Sequence, residues 1–163
     1  MKLQTTDLFK KLSLSNKNLI SLNEEQLKKL QETILLIADD IIGICEENNI
    51  NYHLTGGSAL GAIRHNGFIP WDDDMDIDVA RKDYDKLINL IKKQYGDKYY
   101  IHNPRNSDGF NIPATQIRNK TSIVRGCIDA NNTQCGAYID IAIIENTFDN
   151  AFLRKIHGVL SLG

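Results

Sequence analysis

Four aspartates recur at every second position in the sequence WDDDMDIDV, and they are Asp72, Asp74, Asp76 and Asp78. In a β-strand, alternate side chains face opposite ways, so the four acids would share one face and the apolar residues the other. Neighbouring carboxylates on that face would be roughly 6.6 Å apart and would repel by about 2–3 kcal/mol at an effective dielectric near 20. A bound cation removes that repulsion, and dense oxygen ligands are typical of Mg²⁺, Mn²⁺ or Ca²⁺. The spacing predicts a divalent-metal site for phosphoryl chemistry.

Two simpler interpretations of the acidic run compete with this one. A solvated acidic loop is common, but it needs no apolar residue between the acids. An EF-hand calcium loop agrees with the first three acidic positions. However, Ile77 stands where the turn requires glycine, and Asp83 stands where a bidentate glutamate is expected. The pattern therefore favours the metal-binding strand.

A glycine-rich turn precedes the acidic run. Residues 50–54 are typical of a short strand, and Gly56, Gly57 and Ser58 then lead into a helix-like stretch at residues 59–64. A strand, paired glycines and a serine N-cap form a turn whose backbone N–H groups can converge on an anion. Alone, such a turn is more often purely structural. Because the acidic strand follows about ten residues later, the three residues are predicted to bind phosphate.

Several basic residues are further candidates for phosphate contacts. Arg64 and His65 end the short helix, next to an Asn-Gly pair that is typical of a tight hairpin turn. Arg118 and Arg125 lie in a predicted hairpin. For all four residues, a solvated surface charge is the competing interpretation.

Asp140 is the one acid in an otherwise apolar strand at residues 137–144. An isolated carboxylate is costly to bury, so Asp140 either faces solvent or has a partner. The acidic strand is the obvious partner, through a shared metal ion.

The remaining pattern supplies the elements that must position these residues. Apolar residues at three- and four-residue steps predict helices over 23–47, 82–94 and 148–160. Alternation predicts a strand over 99–102 and a hairpin made by 114–118 and 121–125. Trp71 is expected to be a packing anchor. Residues 1–22 are interpreted as a helix or arm, and residues 23–163 as one domain.

Composition limits the function classes. The chain has 163 residues, 42% hydrophobic and 25% charged, which is typical of one globular domain. A net charge of −2 predicts no strong attraction to nucleic acid or anionic membrane. No apolar run reaches membrane-spanning length, and no signal peptide is visible. Cys45, Cys127 and Cys135 lack metal-ligand spacing and are expected to be reduced, which favours a cytoplasmic protein.

Residues 57–77, GSALGAIRHNGFIPWDDDMDI, resemble the LicD family of bacterial phosphocholine transferases. These enzymes are related to the fukutin proteins, within the nucleotidyltransferase-like superfamily. Fainter similarity covers residues 50–145. The resemblance implies an α+β fold, with a nucleotidyltransferase-like mixed β-sheet flanked by helices.

The same resemblance implies a set of site residues. The family's metal pair falls on Asp74 and Asp76, and its third acid falls on Asp140, with Mg²⁺ or Mn²⁺ as the metal. The broader superfamily pattern instead pairs Asp76 with Asp78. Asp76 belongs to both alternatives, and Asp74 is preferred as its partner because the match anchored on Trp71 is longer.

The implied activity is transfer of a phosphocholine-type group from a nucleotide-diphospho donor such as CDP-choline. The acceptor would be a sugar hydroxyl of a cell-surface glycan precursor, such as teichoic acid or lipopolysaccharide, and it could be lipid-linked. A cytoplasmic protein of this kind could sit at the inner face of the membrane. Two alternatives stay open, namely transfer of a nucleoside monophosphate and an inactive metal-binding remnant. Family members commonly continue further, so the chain is expected to be a trimmed fragment or a short member.

Overall fold

Five strands form one mixed sheet in the computed structural model, which describes residues 22–107, 112–125 and 133–161. The strands are β1 (Tyr52–Leu54), β2 (Asp76–Ala80), β3 (Tyr99–His102), β4 (Thr115–Asn119) and β5 (Tyr138–Ile144). Their order across the sheet is β1-β2-β5-β4-β3. β2 and β5 run parallel, and the other neighbouring pairs are antiparallel. The predicted α+β class with a mixed sheet flanked by helices is confirmed.

One face of the sheet is apolar and carries the core. Alternation puts the buried side chains of Ile77, Val79, Ile117, Ile139 and Ile141 on this face. Helix α1 (Glu24–Glu47) and helix α3 (Arg81–Tyr95) pack against it. Each helix buries one stripe at three- and four-residue spacing, as the sequence predicts.

Helix α1 begins next to Asn23, which stands three residues before Gln26, a spacing in the sequence that is typical of a helix cap. The Asn23 side chain accepts a hydrogen bond from the Gln26 N–H, and the Gln26 side chain accepts one from the Asn23 N–H. This reciprocal capping box satisfies two N–H groups that a helix N-terminus otherwise leaves unpaired. It fixes the start of the longest described helix.

The other face of the sheet is polar, because the same alternation directs the intervening residues to it. Registered partners in neighbouring strands point the same way. One row across the sheet therefore contains Asp76, Asp140, Gln116 and His102. Helix α2 (Gly56–His65) connects β1 to the segment that precedes β2.

Two predictions about strands are wrong. The acidic strand begins only at Asp76, and Asp72 to Met75 have no regular secondary structure. Residues 121–125 form no strand, because β4 already pairs with β3 on one side and β5 on the other. The predicted turn at Asn66 lies at the C-terminus of helix α2, where Asn66 adopts the left-handed conformation with a φ of 53°.

Trp71 also differs from its prediction as a packing anchor. The Asp72 N–H donates to the Ile69 carbonyl at 2.9 Å, which closes a turn. Trp71 lies in this turn and is 76% exposed. Among the cysteines, Cys45 and Cys135 are buried free thiols, and Cys127 lies outside the described residues.

Helix α4 (Ala151–Ser161) agrees with the helix predicted over residues 148–160, but its side chains over 151–160 are exposed except for the half-buried His157. Among the helices that the structure describes, none has the length and apolar character needed to cross a bilayer. The predicted arm at residues 1–22 lies, except for Leu22, outside the described residues.

Two helical glycines provide a matched test of packing. A Cβ on Gly61 would lie 2.5 Å from the Gly67 carbonyl oxygen and 2.9 Å from the Ile69 nitrogen. Both atoms are backbone, so Gly61→Ala should lower the free energy of unfolding by about 1–3 kcal/mol. At Gly43 of α1 nothing lies within 4 Å of the added Cβ. Gly43→Ala should therefore raise stability by up to about 1 kcal/mol.

Urea unfolding of both variants measures these changes. Equal stability of Gly61→Ala and the natural protein would show that α2 does not pack tightly on the turn that leads to the acidic segment.

Candidate functional site

The parallel pairing of β2 and β5 brings two of the predicted acids side by side. Asp76 is the registered partner of Asp140. The Asp140 N–H also donates to the Met75 carbonyl at 2.9 Å, which ties β5 to the segment just before β2. Both carboxylates project from the polar face, so they meet where β2 begins.

A second group of acids lies directly before β2. One carboxylate oxygen from each of Asp72, Asp73 and Asp74 lies within 4.8 Å of the others, a separation at which three ligands can share one ion. Asp73 is exposed, whereas Asp72 and Asp74 are half-buried. The irregular backbone of this segment therefore adds carboxylates to the pair formed by the strands.

Three of these carboxyl groups, those of Asp74, Asp76 and Asp140, have raised pKa values. Burial, followed by the negative charges of Asp76, Asp72 and Asp73, raises the pKa of Asp74 to about 6. Burial also raises the pKa of Asp140 to about 6; a Gln116 hydrogen bond opposes this rise, and the charges of Asp76 and Asp74 add to it. The pKa of Asp76 is raised by burial and then by the charges of Asp72 and Asp78.

The electrostatic neighbours distinguish the two candidate pairs. The charges of Asp74 and Asp76 both act on Asp140. Asp78 lies two residues further along β2, opposite Ala142 of β5 and His53 of β1. Asp76 and Asp140 are therefore neighbours in the sheet, and Asp74 is close enough for its charge to act on Asp140 and for the Asp76 charge to act on it, whereas Asp78 acts on Asp76 from further along β2.

The glycine turn lies against these carboxylates. A Cβ on Gly57 would lie 2.7 Å from Asp72 Oδ2, and a Cβ on Gly56 would lie 3.2 Å from Asp76 Oδ2. Gly56 also has a φ of +54°, which side chains rarely adopt. The two glycines let the start of α2 approach the acids more closely than any other residue would allow.

Ser58 has a different local role from the predicted one. The N-cap of α2 is Thr55, and Ser58 lies inside the first turn of the helix. The buried Ser58 Oγ accepts a hydrogen bond of 2.9 Å from the Asp76 N–H, and the Thr55 N–H donates to the Asp76 carbonyl at 3.2 Å. These two bonds clamp the N-terminus of α2 to the first residue of β2.

The predicted basic contacts separate into two groups. Arg64 and His65 are exposed in the last turn of α2. That turn lies roughly 12 Å along the axis from Gly56 at 1.5 Å per residue, so the structure does not bring the two residues next to the acids. Arg125 is exposed and donates through Nε to Cys135 Sγ at 3.2 Å.

Arg118 is not a surface charge, and that interpretation is wrong. Only 1% of the residue is exposed, and its guanidinium lies 4.8 Å from the centre of the Tyr138 ring. Its Nε and Nη2 both donate to Gln116 Oε1. Arg118 is thus buried on the polar face, in the row of side chains next to that of Asp140.

Gln116 is a residue of the site that the sequence analysis missed. It is 2% exposed, it is the registered partner of Asp140, and its side chain donates a hydrogen bond to the Asp140 carboxylate. A signal was present, because polar residues at 116 and 118 alternate with Ile117 in a strand. The same alternation in β5 puts Asp140 on one face.

The residues fit a hard divalent cation. Asp140 Oδ1 is buried and has no hydrogen-bond partner within residues 22–107, 112–125 and 133–161. Besides burial, the negative charge of Asp76 raises the pKa values of Asp74 and Asp140, and that of Asp74 adds to the rise at Asp140. Oxygen-rich clusters of this kind suit Mg²⁺ or Mn²⁺, and backbone N–H groups at a helix N-terminus suit a phosphate.

Comparison with known proteins places this site inside a shared region. The profile of the LicD/FKTN/FKRP nucleotidyltransferase domain matches residues 49–141, which is more than half of the chain. The lipopolysaccharide cholinephosphotransferase LicD of Haemophilus influenzae is 40% identical over 73 residues, covering 45% of this chain and 28% of that protein.

Two further relatives are similar to parts of this chain. The ribitol 5-phosphate transferase FKRP of Homo sapiens is 42% identical over 57 residues, covering 35% of this chain and 11% of that protein. An uncharacterized protein of Rickettsia prowazekii is 29% identical over 112 residues, covering 53% and 42% of the two chains. In each case the match spans less than half of the relative's own length.

The raised pKa values predict an unusual dependence of stability on pH. In the metal-free folded protein, Asp140 holds its proton up to about pH 6, whereas the unfolded chain releases it near the ordinary value of 3.8. Because the folded state binds the proton more tightly, the contribution of Asp140 to the free energy of unfolding falls as the pH rises through this window. With chelator present, Asp140→Asn should therefore be more stable than the natural protein at about pH 7.5, and this gain should shrink at about pH 5.

Urea unfolding at both pH values measures this difference. A gain in stability that is the same at the two pH values would contradict the raised pKa of Asp140.

Proposed function

Because the chain belongs to the LicD/FKTN/FKRP family, we propose that it is a metal-dependent phosphotransferase. The donor is a nucleotide-diphospho compound such as CDP-choline, and the acceptor is a sugar hydroxyl of a cell-surface glycan precursor. The observation that carries the proposal is the convergence of Asp74, Asp76 and Asp140 beside the N-terminus of α2. One relative is named for cholinephosphate transfer and another for ribitol 5-phosphate transfer.

The glycine turn would bind the donor phosphates. The N–H groups of Gly56 and Gly57 begin α2, where the helix dipole favours negative charge. Neither residue has a side chain that would keep a phosphate away from the backbone. The bonds from Asp76 and Thr55 hold this turn against the carboxylates, so phosphate and acids share one site.

The carboxylates would hold Mg²⁺ or Mn²⁺, with Asp74, Asp76 and Asp140 as ligands. When bound, the ion would neutralise charge on the donor phosphates. The residues themselves fix the positions of the ligands through the β2 and β5 pairing. Crowded carboxylates with raised pKa values would regain full ionisation in its presence.

The chemical step is a displacement at the phosphorus that carries the choline group. The sugar hydroxyl oxygen forms a bond to this phosphorus, the bond to the bridging oxygen breaks, and CMP leaves with that oxygen. Asp140 accepts the hydroxyl proton, because its carboxylate is ionised when the ion is bound and lies at the same site. Positioning and electrostatics supply most of the rate enhancement.

Transfer of a nucleoside monophosphate is a second candidate, favoured by the nucleotidyltransferase domain named in the matching family. It uses the same site with a different leaving group. A nucleoside triphosphate donor would then release pyrophosphate, whereas CDP-choline would release CMP. Product analysis with both donors separates the two activities, and turnover with neither would indicate an inactive metal-binding domain.

The first prediction for this function concerns nucleotide binding. Chelator or Asp76→Asn should weaken CDP-choline binding to the same low level, because both remove the charge that the donor phosphates meet. Isothermal titration with Mn²⁺ present measures the affinity. Asp39→Asn, which makes the same change at an exposed position of α1, is the control and should bind normally.

Binding that neither chelator nor Asp76→Asn weakens would contradict a metal-dependent site. Equal weakening by Asp39→Asn would show a general effect of net charge.

We also propose that the protein is cytoplasmic and rests on the inner face of the membrane, where a lipid-linked acceptor would be found. Five apolar residues of α4 recur on one side of the helix and are 42–75% exposed. They are Phe152, Leu153, Ile156, Val159 and Leu160. Residues 151–161 include Arg154 and Lys155 but no acid. An exposed apolar stripe beside basic residues suits an anionic bilayer surface, despite the net negative charge of the whole chain.

Leu160→Glu should reduce sedimentation with phosphatidylglycerol vesicles, because it puts a charge in the apolar stripe. The natural protein should bind phosphatidylcholine vesicles more weakly than phosphatidylglycerol vesicles. Asn51→Glu adds the same charge at an exposed position outside α4 and should bind like the natural protein. Absence of binding to both kinds of vesicle would overturn the membrane proposal and assign the stripe to a protein contact.

A further inference from the structure

Arg118 carries a buried positive charge that the proposed chemistry does not use directly. It lies in β4, packed against the Tyr138 ring of β5. A buried charge needs polar partners, because its transfer from water is costly. Arg118 directs two donors, Nε at 3.0 Å and Nη2 at 2.5 Å, to a single oxygen, Gln116 Oε1.

This fork fixes the orientation of the Gln116 amide. Since the carbonyl end of the amide is held by Arg118, the NH₂ end is directed away from the guanidinium. Gln116 is also the registered partner of Asp140, and it donates to the Asp140 carboxylate. The contacts therefore run in one direction, from Arg118 through Gln116 to Asp140.

The neutral amide of Gln116 lies between the positive charge of Arg118 and the negative charge of Asp140, and this arrangement affects which oxygens of Asp140 are occupied. A direct fork of arginine onto a carboxylate often occupies both oxygens, which would compete with a cation. Here Arg118 bonds to Gln116, and Asp140 Oδ1 is left without a hydrogen-bond partner among the described residues. The carboxylate is oriented by one hydrogen bond and keeps an oxygen available for a ligand.

We infer that Gln116 is a positioning residue, which Arg118 locks so that Asp140 presents Oδ1 to the divalent cation shared with Asp74 and Asp76. This role rests on the proposed metal site. It differs from a purely structural role, in which Gln116 only satisfies a buried arginine. In the structural case, metal affinity would not depend on Gln116 in the folded protein.

The test is Mn²⁺ affinity, measured by electron paramagnetic resonance without nucleotide. Gln116→Met keeps a similar volume but loses the hydrogen bonds to Arg118 and to Asp140, and it should weaken Mn²⁺ binding by about 10-fold or more, the range found for residues that orient metal ligands. Gln116→Asn keeps the amide but shortens its reach, so it should weaken binding as well. This second variant serves if Gln116→Met does not fold.

Thr115→Val is the matched control. Thr115 is the neighbouring residue of β4, is equally buried, and bonds to the Tyr84 hydroxyl on the apolar side of the sheet. Its replacement should lower the melting temperature and leave Mn²⁺ affinity unchanged. Arg118→Met should also weaken Mn²⁺ binding. The double variant Arg118→Met/Gln116→Met should bind Mn²⁺ no more weakly than whichever single variant binds it less tightly, because both changes break the same relay, the contacts from Arg118 through Gln116 to Asp140.

Normal Mn²⁺ affinity in folded Gln116→Met and Gln116→Asn would overturn the positioning role, as would an equal loss in Thr115→Val. Asp76→Asn separates this failure from that of the proposed function. If the natural protein binds Mn²⁺ and Asp76→Asn does not, the metal site stands and only the role of Gln116 is lost. If the natural protein binds no Mn²⁺, both proposals fail.

Discussion

Repulsion among carboxylates at the start of β2 is the constraint on which the rest of the site depends. Parallel pairing sets Asp76 beside Asp140, and the irregular segment before β2 adds Asp72 and Asp74. Burial and mutual charge raise the pKa values of Asp74, Asp76 and Asp140 together. Because these carboxylates repel one another, the fold must hold them in place. The surrounding contacts act as restraints on their positions.

The restraints come from three directions. The N-terminus of α2 is bonded to β2 on one side through Ser58 and Thr55. On the other side, Arg118 and Gln116 act on Asp140 from β4. Beneath them, the apolar face buries its isoleucines against α1 and α3. Because that face supplies the hydrophobic stabilisation, the polar face can carry buried charge.

The part of the chain shared with its relatives is the part that contains these restraints. The family match covers residues 49–141 and ends just after Asp140. Within it lie β1, α2, β2, β4 and all of the proposed metal ligands. Helix α4 lies beyond it, with an apolar stripe exposed. The region shared with the family therefore contains the glycine turn, the carboxylates, and the Arg118 and Gln116 contacts, but not helix α4.

The sequence by itself determined the sheet-and-helix class, the start of α1, the end of β5, and the grouping of acids with a glycine turn. These features depend on local periodicity and on capping residues, which a sequence displays directly. Only the tertiary structure decided that Asp140 pairs with Asp76, that Arg118 is buried, and that Ser58 bonds to β2. Each of these contacts joins residues far apart in the chain, and the strand order that brings them together is set by packing of the whole sheet. For the same reason the predicted strand at residues 121–125 failed, since both edges of β4 were already paired.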